Sequence, residues 1–351
     1  MAAPETLLAL LGAPGPSGYE TAPAKVWREA AAGFAEVTGD TLGSSVARVA
    51  GTGDGPRLAV VGHIDEIGLI VTHVSDEGFL HFIGVGGWDA QILVGQRVEV
   101  ITRDGAITGL VGKKPIHLLK EEERKKVAEI KDLHIDVGAR DGDEARGLVR
   151  IGDVAVIAAE PVELPNARLS SRALDNRLGA FVALEAARRV AEAGGAPGEV
   201  AAVAPVQEEI TFAGARTSAF ALEPGVAIVV DVTHATDAPG IDVKEVGKHE
   251  LGSGPVIERG SIIAPAVFEL LHETAEAEGI PFTVAASARH TGTDADAIHI
   301  SRAGVPTGVV SIPLRYMHSP VEMVSLNDVD AAARLVAAFA QRLSGDTSFA
   351  R

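Results

Sequence analysis

Four apolar runs of the sequence end in histidine or carboxylate. Val60-Val61-Gly62 leads into His63-Ile64-Asp65-Glu66, and Val203-Ala204-Pro205-Val206 leads into Gln207-Glu208-Glu209. Val229-Val230 leads into Asp231, and the run before Pro313 leads within a few residues to His318. A fifth acid, Asp175, precedes a helical segment whose N-terminal dipole favours negative charge. Taken singly, each has a plain structural explanation: His63 as a packed core histidine, Asp175 as an N-cap, Glu208 and Glu209 as a solvated pair. Taken together, they point to chemistry. In an open parallel sheet, ligands bind beyond the carboxyl ends of the strands, so four such exits deliver their side chains to one edge. Adjacent carboxylates there repel one another, and a dication relieves the repulsion. The chain has no cysteine, so a metal must be held by histidine and carboxylate, a set suited to zinc, cobalt or manganese. His63 and Asp65 stand at i and i+2, which on extended chain places both side chains on one side. Asp65 is therefore a candidate to accept the second ring N–H of His63 and so to orient it.

The elements that must present these residues fall into three zones. Residues 1–67 carry helix candidates at 5–11 and 22–33, separated by the turn-rich Gly12-Ala13-Pro14-Gly15-Pro16-Ser17-Gly18. They end in the run 57–62, whose continuous apolarity suits a strand covered on both faces. Residues 68–167 instead hold short β-branched runs between glycine and aspartate turns, at 69–74, 79–85, 97–101, 106–111 and 154–158. That texture predicts an antiparallel, barrel-like unit. Within it, residues 113–131 form a basic island of seven Lys or Arg against four Glu, read either as a solvated helix or loop or as a subunit contact. Residues 168–351 alternate strands (200–206, 226–230, 305–312) with helices (174–193, 265–278, 295–302, 327–343). The expected fold is α/β: one mixed-sheet domain from residues 1–67 and 168–351, with a β-rich domain, 68–167, inserted into it.

Composition excludes several classes. Net charge is −17, against nucleic acid or an anionic membrane as partner, since both reward clustered cations. The absence of cysteine removes disulfides and thiolate nucleophiles. No apolar run approaches the roughly 18 residues a membrane span needs. The first eleven residues lack a basic start and carry Glu5, unlike a signal peptide. A soluble, cytoplasmic protein is expected.

Several segments, in order and spacing, carry a family resemblance. They are Pro16-Ser17-Gly18-Tyr19-Glu20, Gly62-His63-Ile64-Asp65-Glu66-Ile67-Gly68, Lys114-Pro115-Ile116-His117-Leu118-Leu119 and Ala173-Leu174-Asp175-Asn176-Arg177. They continue with Gln207-Glu208-Glu209, Gly292-Thr293-Asp294-Ala295 and Tyr316-Met317-His318-Ser319-Pro320. Along almost its whole length the chain resembles the tetrahedral (TET) aminopeptidases, the glutamyl and deblocking aminopeptidases sometimes labelled endoglucanases. The resemblance implies a co-catalytic metallopeptidase with two divalent ions per chain, zinc or cobalt. It assigns His63 and Asp231 to one metal, Glu209 and His318 to the other, and Asp175 as the bridge. It makes Glu208 the general base and then the general acid, with Asp65 orienting His63. Three ligand carboxylates then offset three of the four charges of two dications. It further implies a cis peptide at Asp175-Asn176, dimerisation through the inserted β domain, and assembly of dimers into a hollow dodecamer. The implied substrates are short peptides with a free N-terminus.

Two other enzymatic readings share parts of this pattern. A metal-dependent amidohydrolase or deacylase would use the same residues on N-acyl amino acids. An endoglucanase needs a carboxylate pair about a sugar and aromatic platforms, and aromatics at 4% supply these poorly. A metal-binding scaffold without catalysis is disfavoured by the intact Glu208. Arg289 and His290, ahead of Gly292-Thr293-Asp294, are read either as favouring an acidic substrate side chain or as a solvated loop.

Overall fold

The computed structural model describes residues 1–349. Its frame is an eleven-stranded mixed sheet. The central strands Val200–Ala204, Leu58–Val61, Val226–His234 and Thr307–Arg315 lie side by side in that order and run parallel. Every residue of Leu58–Val61 and of Val200–Ala204 is buried, as continuous valine and alanine runs between two helical layers must be. Antiparallel strands extend both sides: Ser45–Val49 and Glu36–Gly39 on one, Glu322–Ser325, Arg168–Ser171 and Val162–Leu164 on the other. Val256–Gly260 pairs with Thr307–Arg315 and carries Thr283–Ser287 on its other edge.

The helix Leu174–Glu192 packs on the sheet with Glu5–Gly12, Thr21–Ala31 and Leu326–Gln341 around it. Trp27, fully buried, ties this layer down by donating its indole N–H to the Ala180 carbonyl at 2.9 Å. The approach of helix to sheet depends on glycine. A Cβ on Gly62 would lie 2.1 Å from the carbonyl carbon of Gly179, and one on Gly179 would lie 2.3 Å from the Val230 oxygen. Both clashes are with backbone, which no side-chain rotation relieves.

Six further strands, Gly68–Val74, Phe79–Val85, Arg97–Thr102, Gly105–Lys113, Leu133–Asp136 and Val154–Ile157, close into an antiparallel barrel with its own apolar core. They are contiguous in sequence, between two stretches that build the large sheet. The mixed α/β fold with an inserted barrel is thus as expected. The strand Leu133–Asp136 was not among the expected ones: it is four residues long and alternates Leu133 and Ile135 inward with two polar residues, a weak signal beside the basic island. The island itself folds as two short 3₁₀ turns, Ile116–Leu118 and Ile130–Asp132, and one helical turn, Glu121–Arg124.

Two boundaries differ in a way that bears on the site. The strand expected to stop at Val230 continues to His234, so Asp231 lies within it and not at its exit. Its pairing with Leu58–Val61 ends at Val229, while pairing with Thr307–Arg315 continues to His234. One flank of the strand is therefore open from Val230 onward, and that opening admits the site.

Candidate active site

Each element delivers one or two polar groups to that opening. The chain leaves Leu58–Val61 through Gly62 and places His63 and Asp65, both buried, beside each other, with His63 Nδ1 3.4 Å from Asp65 Oδ1. The chain leaves Val200–Ala204 through Gln207, held in the left-handed region at φ 61°, and enters the turn Glu208–Thr211. The backbone N–H groups of Glu208 and Glu209 donate to Asp65 Oδ1 and Oδ2, each at 3.1 Å. Asp65 thus joins two strand exits: it faces His63 and fixes the turn that carries both glutamates. Asp175 opens the long helix from Ala173, itself left-handed at φ 58°, and its bond to Asn176 is cis, as anticipated. His318 follows Thr307–Arg315 and is also left-handed, at φ 59°.

Asp175 sits between the two histidines. Its Oδ1 is 3.4 Å from His63 Nε2, and its Oδ2 is 3.4 Å from His318 Nε2. His318 Nε2 is also 3.4 Å from Glu209 Oε1, and His63 Nε2 is 3.6 Å from Glu208 Oε2. Ligand-type atoms of His63, Asp175 and Glu209 lie within 4.8 Å of one another, and so do those of His63, Glu208 and Asp231. The seven residues singled out from sequence therefore meet in one place. Arg289 and His290 are not among the residues lining the adjoining cavity, which measures about 320 Å³, and the His290 side chain is 79% exposed.

The electrostatics describe a site with too few positive charges. Burial pushes the Glu208 carboxyl up to about 10, with Asp231, Asp294 and Glu209 adding to the push and His63 opposing it. Burial likewise raises Asp231 far above the ordinary carboxylate range, and raises Glu209 against the hydrogen bond to His318. Asp175 behaves oppositely: burial works against its charge, but hydrogen bonds from His318 and His63 prevail and hold its pKa low. The hydrogen bonds to Asp175 and Glu209 push His318 up to about 11. Four carboxylates thus compete for two imidazoles, and cations in their midst would relieve the competition. Imidazole and carboxylate donors so grouped fit a borderline divalent metal.

Further groups hold the cluster, and the sequence did not single out several of them. Glu322, buried, accepts from the backbone N–H of Asp175 at 3.1 Å and from that of His318 at 2.8 Å. It pins the middle of the cluster from beneath. The Gly87 carbonyl, offered by the loop that follows the barrel strand Phe79–Val85, lies 2.8 Å from His318 Nδ1 and gives that ring a backbone partner. Glu66 binds Arg172 and Arg177 and accepts from the Gly15 N–H at 3.0 Å, securing the segment after His63. Asp294 is buried with neither oxygen hydrogen-bonded, and burial pushes its pKa up to about 7. Glu322 sits two residues beyond the Tyr316–Pro320 motif, where its burial was the missing signal. Asp294 lay inside a quoted motif without an assigned role.

Residues 43–335 match the M42 glutamyl aminopeptidase family. The chain is 36% identical, over 97% of each chain, to the lysyl aminopeptidase of Pyrococcus furiosus. A TET aminopeptidase from a marine sediment archaeon of the Thaumarchaeota has a solved structure that superposes with a TM-score of 0.92 at 39% identity, covering 97% of this chain and 96% of that one. The Pyrococcus horikoshii TET1 peptidase, which can assemble into a tetrahedron or a large octahedral shell, superposes with a TM-score of 0.86 at 33% identity, over 97% and 99% of the two chains. By sequence and by fold, the chain belongs to the M42 aminopeptidase family.

Proposed function

We propose that this aminopeptidase removes the N-terminal residue of short peptides at a centre of two divalent metals, zinc or cobalt. The observation that carries the reading is the placement of Asp175, with one oxygen 3.4 Å from each histidine, as a bridge between two sites requires. His63 and Asp231 would hold one ion, Glu209 and His318 the other, with Asp175 shared. Two dications bound there lower the pKa of a water and polarise the scissile carbonyl.

The chain's own residues supply the rest. Glu208 is the general base: it takes the proton of the attacking water and delivers it to the leaving amine nitrogen. Asp65 and the Gly87 carbonyl hold the two imidazoles in the orientation that leaves each Nε2 facing Asp175. A free substrate α-amine pairs with the acidic cluster, which confines cleavage to the first residue. The inserted domain expected at residues 68–167, whose barrel spans 68–157, serves as the dimerisation domain, and dimers build the dodecamer; mass by light scattering tests this.

The deciding experiment compares an aminoacyl-p-nitroanilide with its N-acetyl counterpart, before and after chelation and with zinc or cobalt restored. Cleavage of the free amine alone, lost on chelation and regained with metal, supports the reading. Preference for the acylated substrate would replace it with a deacylase.

A further inference from the structure

Glu258 is the one carboxylate of the cavity wall, among the described residues, to which the proposed mechanism gives no task. It stands on Val256–Gly260, whose Val256 is the register partner of Ser311, and Ser311 is the register partner of Asp231. Paired residues share a sheet face, and so do residues two apart on a strand. Glu258, Ser311 and Asp231 therefore share one face of three neighbouring strands, the face that carries the site, with Glu258 two residues along its strand from the Ser311–Asp231 row. Glu258 Oε1 reaches Ser311 Oγ at 3.3 Å, and its Oε2 has no hydrogen-bond partner. Two strand spacings and the two-residue offset set its backbone about 12 Å from that of Asp231, which the Glu258 side chain shortens to roughly the reach of a first side chain whose amine lies at the cluster.

Among the described residues, no lysine or arginine lines this cavity. Arg259, the next residue, points to the opposite face, where it lies over the Phe268 ring and is 70% exposed. Burial pushes the Glu258 pKa up to about 7, with Ser311 opposing and the charge of Asp296 adding to the push. Two metals would offset the carboxylates of the cluster but leave Glu258, two strands away, unanswered. An apolar side chain would cover it with no cation beside it, and an acidic one would repel it. We propose that Glu258 is a specificity-determining residue that selects a cationic N-terminal side chain, lysine or arginine. This rests on the aminopeptidase reading above.

The test uses the near-isosteric pair lysyl- and norleucyl-p-nitroanilide, which differ by one ammonium group, with the metal-loaded protein. The expected kcat/KM ratio favours lysyl at least tenfold, and Glu258→Gln lowers that ratio at least tenfold. A wild-type enzyme that cleaves norleucyl as well as lysyl overturns the assignment and leaves the peptidase reading intact. So does an unchanged ratio in Glu258→Gln. Silence toward every aminoacyl substrate overturns the peptidase reading, and the inference with it. Should the variant fail to fold, competition by L-lysinamide and L-norleucinamide on the unaltered protein decides the same question: at least tenfold tighter lysinamide supports the assignment, and equal inhibition refutes it.

Discussion

The barrel and the large sheet follow different local rules. In the barrel, residues 68–157, every described residue with left-handed backbone is a glycine: Gly78, Gly86, Gly95, Gly105, Gly138 and Gly152. The rest of the molecule places nine of its described non-glycine residues in that region, Asn166, Ala167, Ala173, Gln207, Phe212, Glu223, Arg302, Tyr316 and His318. Ala173, Gln207, Tyr316 and His318 flank or belong to the candidate site. Burial divides the same way. Among the described residues, no polar or charged side chain is fully buried within the barrel, while His63, Asp65, Asp175, Glu208, Asp231, Asp294 and Glu322 are buried outside it. The barrel is therefore a unit in which each local choice agrees with the fold. The sheet edge departs from those choices where side chains must converge, and departures of that kind concentrate at functional sites.

Four changes break or sharpen this contrast, taken from the largest expected effect. Gly62→Ala drives a methyl group into the Gly179 backbone, 2.1 Å away, and separates helix from sheet. Overpacking a core typically costs about 1–3 kcal/mol, and this clash with fixed backbone belongs at or beyond the top of that range. The expected result is a marked fall in Tm or loss of soluble protein. Glu322→Gln keeps the shape but replaces one of two accepting oxygens with an NH2 group facing the Asp175 or the His318 N–H. Metal affinity and turnover should fall about 10–100-fold, as for other outer partners of metal ligands, and the unsatisfied buried N–H should cost about 1–3 kcal/mol of stability. The third is a reciprocal pair. Gly105→Ala in the barrel, at φ 123° with open space around it, should destabilise by at least about 1 kcal/mol. Ala173→Gly beside the site should be neutral or stabilise by up to about 1 kcal/mol, because it relieves the left-handed alanine. If both changes destabilised equally, the contrast would fail.

The smallest effect concerns pH. Glu185, on the surface of the long helix, resists burial through hydrogen bonds from Arg188 and Arg189, and its pKa is lowered. A carboxyl depressed on folding stabilises above its unfolded value, near 4.3, and loses that contribution as pH falls through the folded value. Glu185→Gln should therefore be less stable than the unaltered chain at pH 7, by no more than about 1 kcal/mol after solvent screening. The two melting curves should converge only as pH falls through the lowered folded value. This carboxylate has its cations beside it, unlike those at the sheet edge.

The same contrast explains how much the sequence disclosed. Apolar runs such as Leu58–Val61 and Val200–Ala204 are readable because burial on both faces demands continuous apolarity, and the residues that follow them were readable for the same reason. The position of Asp231 within its strand was not, because where a strand ends depends on how far its neighbour runs. Glu322 and Glu258 carry no spacing signal: each matters through groups that only the folded chain brings near, the Asp175 and His318 N–H groups for one and Ser311 for the other. The left-handed Ala173 and His318 run against local preference, so no propensity argument reaches them. The barrel strand Leu133–Asp136 was obscured by its length and by the charged segment before it.

At the centre of the proposed chemistry, Glu208 moves the proton while its neighbours hold two metals. The most direct test is Glu208→Gln, with metal content and turnover measured on the same preparation. Two divalent ions per chain are expected, as in the unaltered protein, with a turnover lower by roughly 10²–10⁴-fold. Near-full turnover, or loss of metal together with activity, would contradict that role for Glu208.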